Sequence, residues 1–185
     1  MTDSPALAQV VAVSRDDAHR CSKPTRESIT LLTGHGVEGD AHAGATVQHL
    51  SRARRDPSTP NLRQVHLLHS ELFDEMALRG HAIDAGAMGE NITTAGIDLL
   101  SLARGTRLEF SEGAVVEVTG LRNPCTQING LSKGLMKELV FVDDEGKTVR
   151  LAGVMSIVIS GGVVRPGDGI RIIPPSGSFE PLRAV

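Results

Sequence analysis

The sequence predicts a mainly β domain closed as a barrel or a sandwich. Many short apolar runs are separated by glycine-rich turns, several of those runs alternate apolar with polar residues, and the helical segments are too few to interleave with strands. Predicted strands are Gln9–Ser14, Ser28–Leu32, Gln64–His69, Thr106–Phe110, Ala114–Thr119, Val154–Ser160 and Gly169–Ile173. Val116 and Val118 flank Glu117, and Leu108 and Phe110 flank Glu109, as in strands with one buried face. Val154–Ile159 is apolar almost throughout, which predicts a strand covered on both faces.

Two helices interrupt the strands. Ser70 can cap one running through Arg79, with Leu72, Phe73, Met76 and Ala77 on one face and Gly80 ending it. Ser132 can cap a shorter one carrying Leu135, Met136 and Leu139. The stretch 45–62 holds Arg52, Arg54, Arg55, Pro57 and Pro60 without apolar periodicity, and reads as a long loop of the kind that usually carries function. The tail 174–185 contains Pro, Ser and Gly and is expected to be loosely held. No internal repeat and no second domain are visible.

Composition narrows the function classes. At 185 residues the chain can bury roughly 70% of its unfolded surface, enough for one domain with a real core. A net charge of -3 argues against a general nucleic-acid binder, which needs a basic field. Four Phe with no Trp or Tyr leave little for base stacking. Met1 to Val13 has no basic region followed by a long apolar run, so neither a signal peptide nor a membrane span is expected. The expected compartment is the cytoplasm, where two cysteines stay reduced.

Three segments can carry chemistry. Residues 34–44, Gly-His-Gly-Val-Glu-Gly-Asp-Ala-His-Ala-Gly, hold four glycines that permit close approach to a ligand, and successive amides there can cradle an anion. Asp40 and His42 can bond a ligand or a metal; the alternative is a glycine-rich turn with a capping Asp. After the turn at 86–89, Asn91 and Thr93 share a strand face, able to line a pocket mouth or to bond the local backbone. The third segment, Thr119 to Ile128, follows a strand and is stiffened by Pro124. Cys125 there falls in a turn, and Arg122 can favour its thiolate, the form that attacks as a nucleophile and binds soft metals. A lone cysteine is more often a small buried hydrophobe, but the flanking Arg, Asn, Pro and Gln favour function. Cys21, in a polar stretch, reads as an exposed thiol without a role. His66 and His69 fall on opposite strand faces and make poor metal partners. No phosphate-binding Walker loop, dinucleotide fingerprint or nucleophile elbow is present.

Taken together, the segments resemble the MOSC family, named for the molybdenum-cofactor sulfurase C-terminal domain. The matching residues run from Gly36 to Gly44, through Arg63-Gln64-Val65, Gly89-Glu90-Asn91 and Gly96-Ile97-Asp98-Leu99. They continue with Gly105-Thr106-Arg107-Leu108, Arg122-Asn123-Pro124-Cys125 and Gly161 to Asp168, so the resemblance spans about residues 8–173. Each piece is weak alone; their order and spacing are specific.

The resemblance implies a closed β-barrel of the pyruvate-kinase-barrel type with loops around one pocket. It implies that Cys125 matches the family's invariant cysteine, which in characterised members carries sulfur or ligates molybdenum. It implies a molybdenum cofactor whose pterin and phosphate are held by His42, Arg63, Asn91, Thr93, Arg122 and Asn123. The implied partners are that small pterin cofactor or a protein that donates or accepts sulfur. The full-length sulfurase also has a pyridoxal-phosphate domain that this chain cannot supply, so pyridoxal phosphate is not expected on it. The leading expectation is a protein that binds the molybdenum cofactor or carries sulfur through Cys125. The alternatives are a molybdenum-cofactor oxidoreductase reducing N-hydroxylated substrates with a separate electron donor, and a non-catalytic ligand-binding barrel.

Overall fold

The computed structural model describes residues 8–48, 56 and 58–185; Arg52, Arg54, Arg55 and Pro57 of the predicted loop lie outside them. The strands are β1 (Gln9–Ser14), β2 (Thr25–Arg26), β3 (Ile29–Leu32), β4 (Gly36–Val37), β5 (Val65–His69), β6 (Ile92–Ala95) and β7 (Arg107–Phe110). They continue with β8 (Val115–Leu121), β9 (Val140–Val142), β10 (Thr148–Arg150), β11 (Val154–Ser160), β12 (Gly162–Val164) and β13 (Ile170–Ile173). Two helices, α1 (Glu71–Leu78) and α2 (Leu135–Leu139), and short 3-10 turns at Leu99–Ser101 and Thr126–Gly130 complete the set. The chain is mainly β, and every strand that alternation predicts is present. The strands it misses are two to four residues long, too short for a period of two to be legible.

Eight strands form one sheet in the order β13-β7-β8-β11-β5-β6-β1-β2. All neighbours are antiparallel except β5 and β6, which α1 connects as a crossover. The predicted closed barrel is not completed by a ladder. The start of β1, the strand next to the edge strand β2, instead meets the segment before β13 at the single bridge Gln9–Gly169, with Val10 N donating to Asp168 O, Gly167 N to Val10 O and Ile170 N to Ala8 O, each at 2.8 Å. Two bulges in the β8–β11 pairing bend the sheet at its centre.

One face of this sheet holds the main core, with Val13, Val65, Leu67, Ile92, Leu108, Phe110, Val116, Val118, Val154 and Val158 at its heart. A second core sits outside, where Leu68 of β5 meets Leu72 and Met76 of α1 and Leu135 and Leu139 of α2. Four successive residues of β5, Val65 to Leu68, are therefore buried, because both faces of that strand are covered. Both predicted helices form, but neither serine caps by its side chain. Ser70 makes no side-chain cap bond and its amide instead donates to Thr94 O at 2.7 Å, while the Ser132 hydroxyl pairs with His81 Nδ1 at 2.7 Å and Gly134 starts α2.

The bulge beside Met155 and Ser156 decides which side chains face which way. Val118 pairs with Ser156, but Gly120 pairs with Met155, so Thr119 is the extra residue. Before the bulge, even-numbered residues of β8 (Val116, Val118) face the core. After it the parity flips, Leu121 packs against the core, and Gly120 turns outward with Arg122 beyond it. The Thr119 hydroxyl donates to Leu62 O at 2.6 Å, with Met155 O at 3.0 Å, and so ties the irregularity in place.

The tail 174–185, expected to be loose, is docked on that outward face. Arg104 N donates to Glu180 O, Leu121 N to Arg183 O and Val185 N to Leu121 O, and Leu121 bridges Ala184. Gly120 makes room for it: a Cβ there would lie 2.4 Å from Arg183 O and 2.6 Å from a Val185 methyl carbon. Gly120→Ala is therefore expected to lift the tail and cost roughly 1–3 kcal/mol. Hydrogen exchange checks this: the Leu121 and Val185 amides should lose protection while those of β5 keep it.

Candidate functional site

A cavity of about 650 Å³ lies on the face of β5, β8 and β11 opposite the main core. His66 and Met155 are cross-strand partners and line it, since they alternate with Val65, Leu67 and Val154, which point the other way. Asn91 joins the same row, its amide donating to His66 O at 2.8 Å. Loops supply the rest of the wall: 19–23 after β1, 42–48 after β4, 59–63 before β5, 122–127 after β8, and Val185 from the docked tail.

Lys23 of the cavity wall is held from behind by an ion pair. Lys23 Nζ lies 2.7 Å from Asp40 Oδ2, with both side chains almost wholly buried. Asp40 Oδ2 also accepts from Asn91 Nδ2 at 3.0 Å, and Oδ1 accepts from the His42 amide at 2.9 Å with His42 Nδ1 at 3.3 Å. Burial alone would raise the Asp40 carboxyl, but the His42 hydrogen bonds and the Lys23 ammonium outweigh it and hold the group well below the ordinary carboxylate range. Burial lowers Lys23, and Asp40 opposes that by charge and hydrogen bond. One carboxylate thus locks the loop before β2, the glycine-rich loop after β4 and the turn before β6.

Asn91 is spent on that framework. Its Nδ2 also donates to Ser14 O at 3.2 Å and its Oδ1 accepts from the His66 amide at 3.2 Å, so both Nδ2 protons are committed to the framework. Thr93 is a correction: it is fully buried, does not line the cavity, and donates to Glu90 Oε1 at 3.2 Å. Glu90, itself fully buried, is raised by desolvation against the Gly86 amide that also bonds Oε1. The shared strand face placed Asn91 and Thr93 together, but Asn91 precedes β6 and the two diverge.

The other predicted residues do meet at the cavity. His42, Arg63, Arg122, Asn123 and Cys125 all line it. Asn123 Oδ1 accepts from Arg150 Nε at 3.1 Å. Pro124 is buried and anchors the turn, leaving Cys125 exposed, its thiol facing Gln127 Oε1 at 3.5 Å. Arg122 Nη1 is buried without a hydrogen-bond partner among the described residues. Burial lowers the Arg122 guanidinium, opposed by the charges of Glu90, Cys21 and Cys125. A guanidinium nitrogen buried with no acceptor among the described residues has hydrogen-bonding capacity left unused.

Sequence reasoning missed Cys21, Lys23 and His66. All three line the cavity, and nothing local to them signals it, because the contacts are made across the fold. Among the described residues, no cluster of three or more His, Cys, Asp and Glu side chains could hold a metal by itself. His66 Nε2 must donate to Ala152 O, 2.8 Å away, since a carbonyl only accepts. Burial, helped by Arg122, holds His66 neutral well below its usual range, and burial lowers His69 as well.

Two outcomes follow. Below about pH 6.5 the unfolded chain takes up protons that His66 and His69 refuse in the fold, so stability present above that pH is lost as pH falls. Denaturant midpoints against pH should show this, and the slope should flatten in His66→Gln. Asp40→Asn strands a buried lysine and should cost about 3–5 kcal/mol, with Lys23→Met/Asp40→Asn costing less than the two singles combined.

The chain is similar in sequence and in fold to known proteins. YuaD of Bacillus subtilis (strain 168), whose name assigns it provisionally to metal-sulfur cluster biosynthesis, is 28% identical over 151 residues, covering 74% of this chain and 76% of YuaD. The crystal structure of the Bacillus subtilis YuaD protein superposes with a TM-score of 0.74 at 23% identity, covering 92% of this chain and 98% of that one. YiiM from Geobacillus stearothermophilus has the same fold at a TM-score of 0.65 and 19% identity, covering 94% of this chain and 79% of that one. The MOSC domain model matches residues 38–171, a stretch running from the glycine-rich loop to β13, and the chain therefore belongs to the MOSC family.

Proposed function

We propose that this chain carries sulfur for metal–sulfur chemistry, with Cys125 taking up a sulfane sulfur as a persulfide and offering it to an anionic acceptor in the cavity. The observation that carries this reading is the exposed Cys125 thiol beside a buried, unsatisfied Arg122 Nη1. Once the Cys125 sulfur has attacked a sulfur donor, the neighbouring guanidinium can pair with the persulfide anion that follows. His42 and Arg63 can orient the acceptor from the opposite wall. The provisional name of YuaD points the same way. The partners on this reading are a sulfur-donor protein and a metal–sulfur acceptor, in the cytoplasm.

The cavity volume favours a second reading, in which the acceptor is the molybdenum cofactor itself. About 650 Å³ accommodates a pterin-sized ligand. The residues fit such a group: Cys125 offers a soft thiolate for the metal, Arg122 an unpaired donor, and Arg63, His42 and Asn123 polar contacts for the pterin and its phosphate. Bound there, the cofactor would supply a two-electron redox centre, and reduction of N-hydroxylated compounds would draw on a separate electron donor. The chain's own part is to place the thiolate, neutralise the ligand's charge and shield it from water on the β5–β8–β11 face.

Absence of Trp and Tyr makes the test direct, since any strong near-ultraviolet band in the purified protein belongs to a ligand. Carrier function predicts a mass increment of one sulfur on Cys125 in chains trapped with an alkylating reagent immediately after they meet a sulfur donor, abolished by Cys125→Ser. Cofactor binding predicts stoichiometric molybdenum with a pterin band, lost in the same variant. If neither appears in cofactor-replete and sulfur-loaded preparations, both readings fall.

A further inference from the structure

Both cysteines of the chain open onto the one cavity, though one lies in the loop after β1 and the other in the turn after β8. Cys21 reads from sequence as a thiol without a role; the fold gives it a built seat. Lys23 N donates to Gly86 O at 2.8 Å, and the Lys23 side chain is pinned by Asp40. The Cys21 carbonyl packs where a side chain at position 89 would sit: a Cβ on Gly89, whose φ is +78°, would lie 2.7 Å from it. Glycine at 89 is thus required both by conformation and by the approach of Cys21. Cys21 is half-buried and Cys125 exposed. Burial raises the Cys21 thiol, and the Arg122 guanidinium opposes that rise. Cys21 also feels the charge of Cys125. Arg122 lines the same cavity as the two cysteines, and its Nη1 has no acceptor among the described residues.

We propose that Cys21 is the thiol that discharges Cys125. This rests on the carrier reading of Cys125 and adds the release step to it. The Cys21 thiolate attacks Sγ of the Cys125 persulfide. A Cys21–Cys125 disulfide forms, the persulfide S–S bond breaks, and the outer sulfur leaves with the bonding electron pair, taking one proton from solvent to become hydrosulfide. The sulfane sulfur is reduced to sulfide and the two protein thiols are oxidised to a disulfide, so no further reductant enters the step. The Cys21 proton goes to solvent before attack. Arg122 stands where it can receive the departing anion. A small dithiol, or a dithiol protein, then returns the pair to two thiols for the next cycle.

The test uses the full chain loaded anaerobically with polysulfide, freed of excess donor, and followed without added thiol by sulfide assay and intact and peptide mass spectrometry. The wild type should release one sulfide per chain and end two hydrogens lighter than the reduced protein, with the Cys21 and Cys125 peptides linked. Cys21→Ser and Cys21→Ala should hold the added sulfur on Cys125 at least about tenfold longer and surrender it on addition of dithiothreitol. Two variants guard against a folding defect in either. Release from both variants at the wild-type rate, or a wild-type persulfide that persists with no disulfide, overturns the role of Cys21 and leaves the carrier reading standing. Failure of Cys125 to take up sulfur in any of the three proteins overturns the carrier reading, and the release step falls with it.

Discussion

The buried Asp40–Lys23 ion pair is the constraint on which the cavity depends. Removing two charges from water is costly, and that cost is offset by the groups that converge on Asp40: the Lys23 ammonium, the Asn91 side-chain amide, the Asp16 amide, and the His42 backbone and ring. Those groups come from three loops that share no strand. The pair therefore specifies a relative position for segments that the sheet alone would leave free. Its main effect is positional: a hydrophobic pair of equal volume could match its stability but could not orient His42 or Asn91.

A second constraint is the bulge at Thr119. Without the extra residue, Arg122 would fall on the same face as Val116 and Val118 and point toward the apolar core, where a guanidinium is not tolerated. With it, Arg122 and Gly120 turn to the outer face, where Met155 and His66 already stand. The same inversion exposes Gly120 to the returning tail, so the wall provided by Val185 and the cation beside Cys125 have one cause. Pro124, buried, then fixes the turn that leaves Cys125 outside.

Charge is distributed unevenly around the thiols. His66, held neutral, contributes shape and a fixed donor and no charge. Glu90 sits behind Arg122, its carboxyl raised by burial and its Oε2 unsatisfied, so the guanidinium has an electrostatic partner but no hydrogen-bonded one. Arg122 thus brings to the cavity lining a guanidinium with a donor unused among the described residues.

What the sequence determined by itself was local. Alternation in β7 and β8 revealed strands because one face of each is buried, and the glycine-rich segments around 36–44 and 86–89 revealed close approaches because only glycine permits them. The Arg-Asn-Pro-Cys segment revealed a presented cysteine because proline stiffens the chain and the neighbours are polar. Tertiary structure alone decided the rest. Thr93 looked equivalent to Asn91, yet the turn before β6 sends one to Glu90 and the other to Asp40. The tail looked loose because Pro, Ser and Gly carry no periodicity, yet Gly120 opens a seat for it. Cys21 carried no local signal, because what brings it to Cys125 is a lysine buried against an aspartate from a different loop and a missing side chain at Gly89. Pairings between distant segments are settled by packing and desolvation over the whole fold, and a linear pattern holds no trace of them.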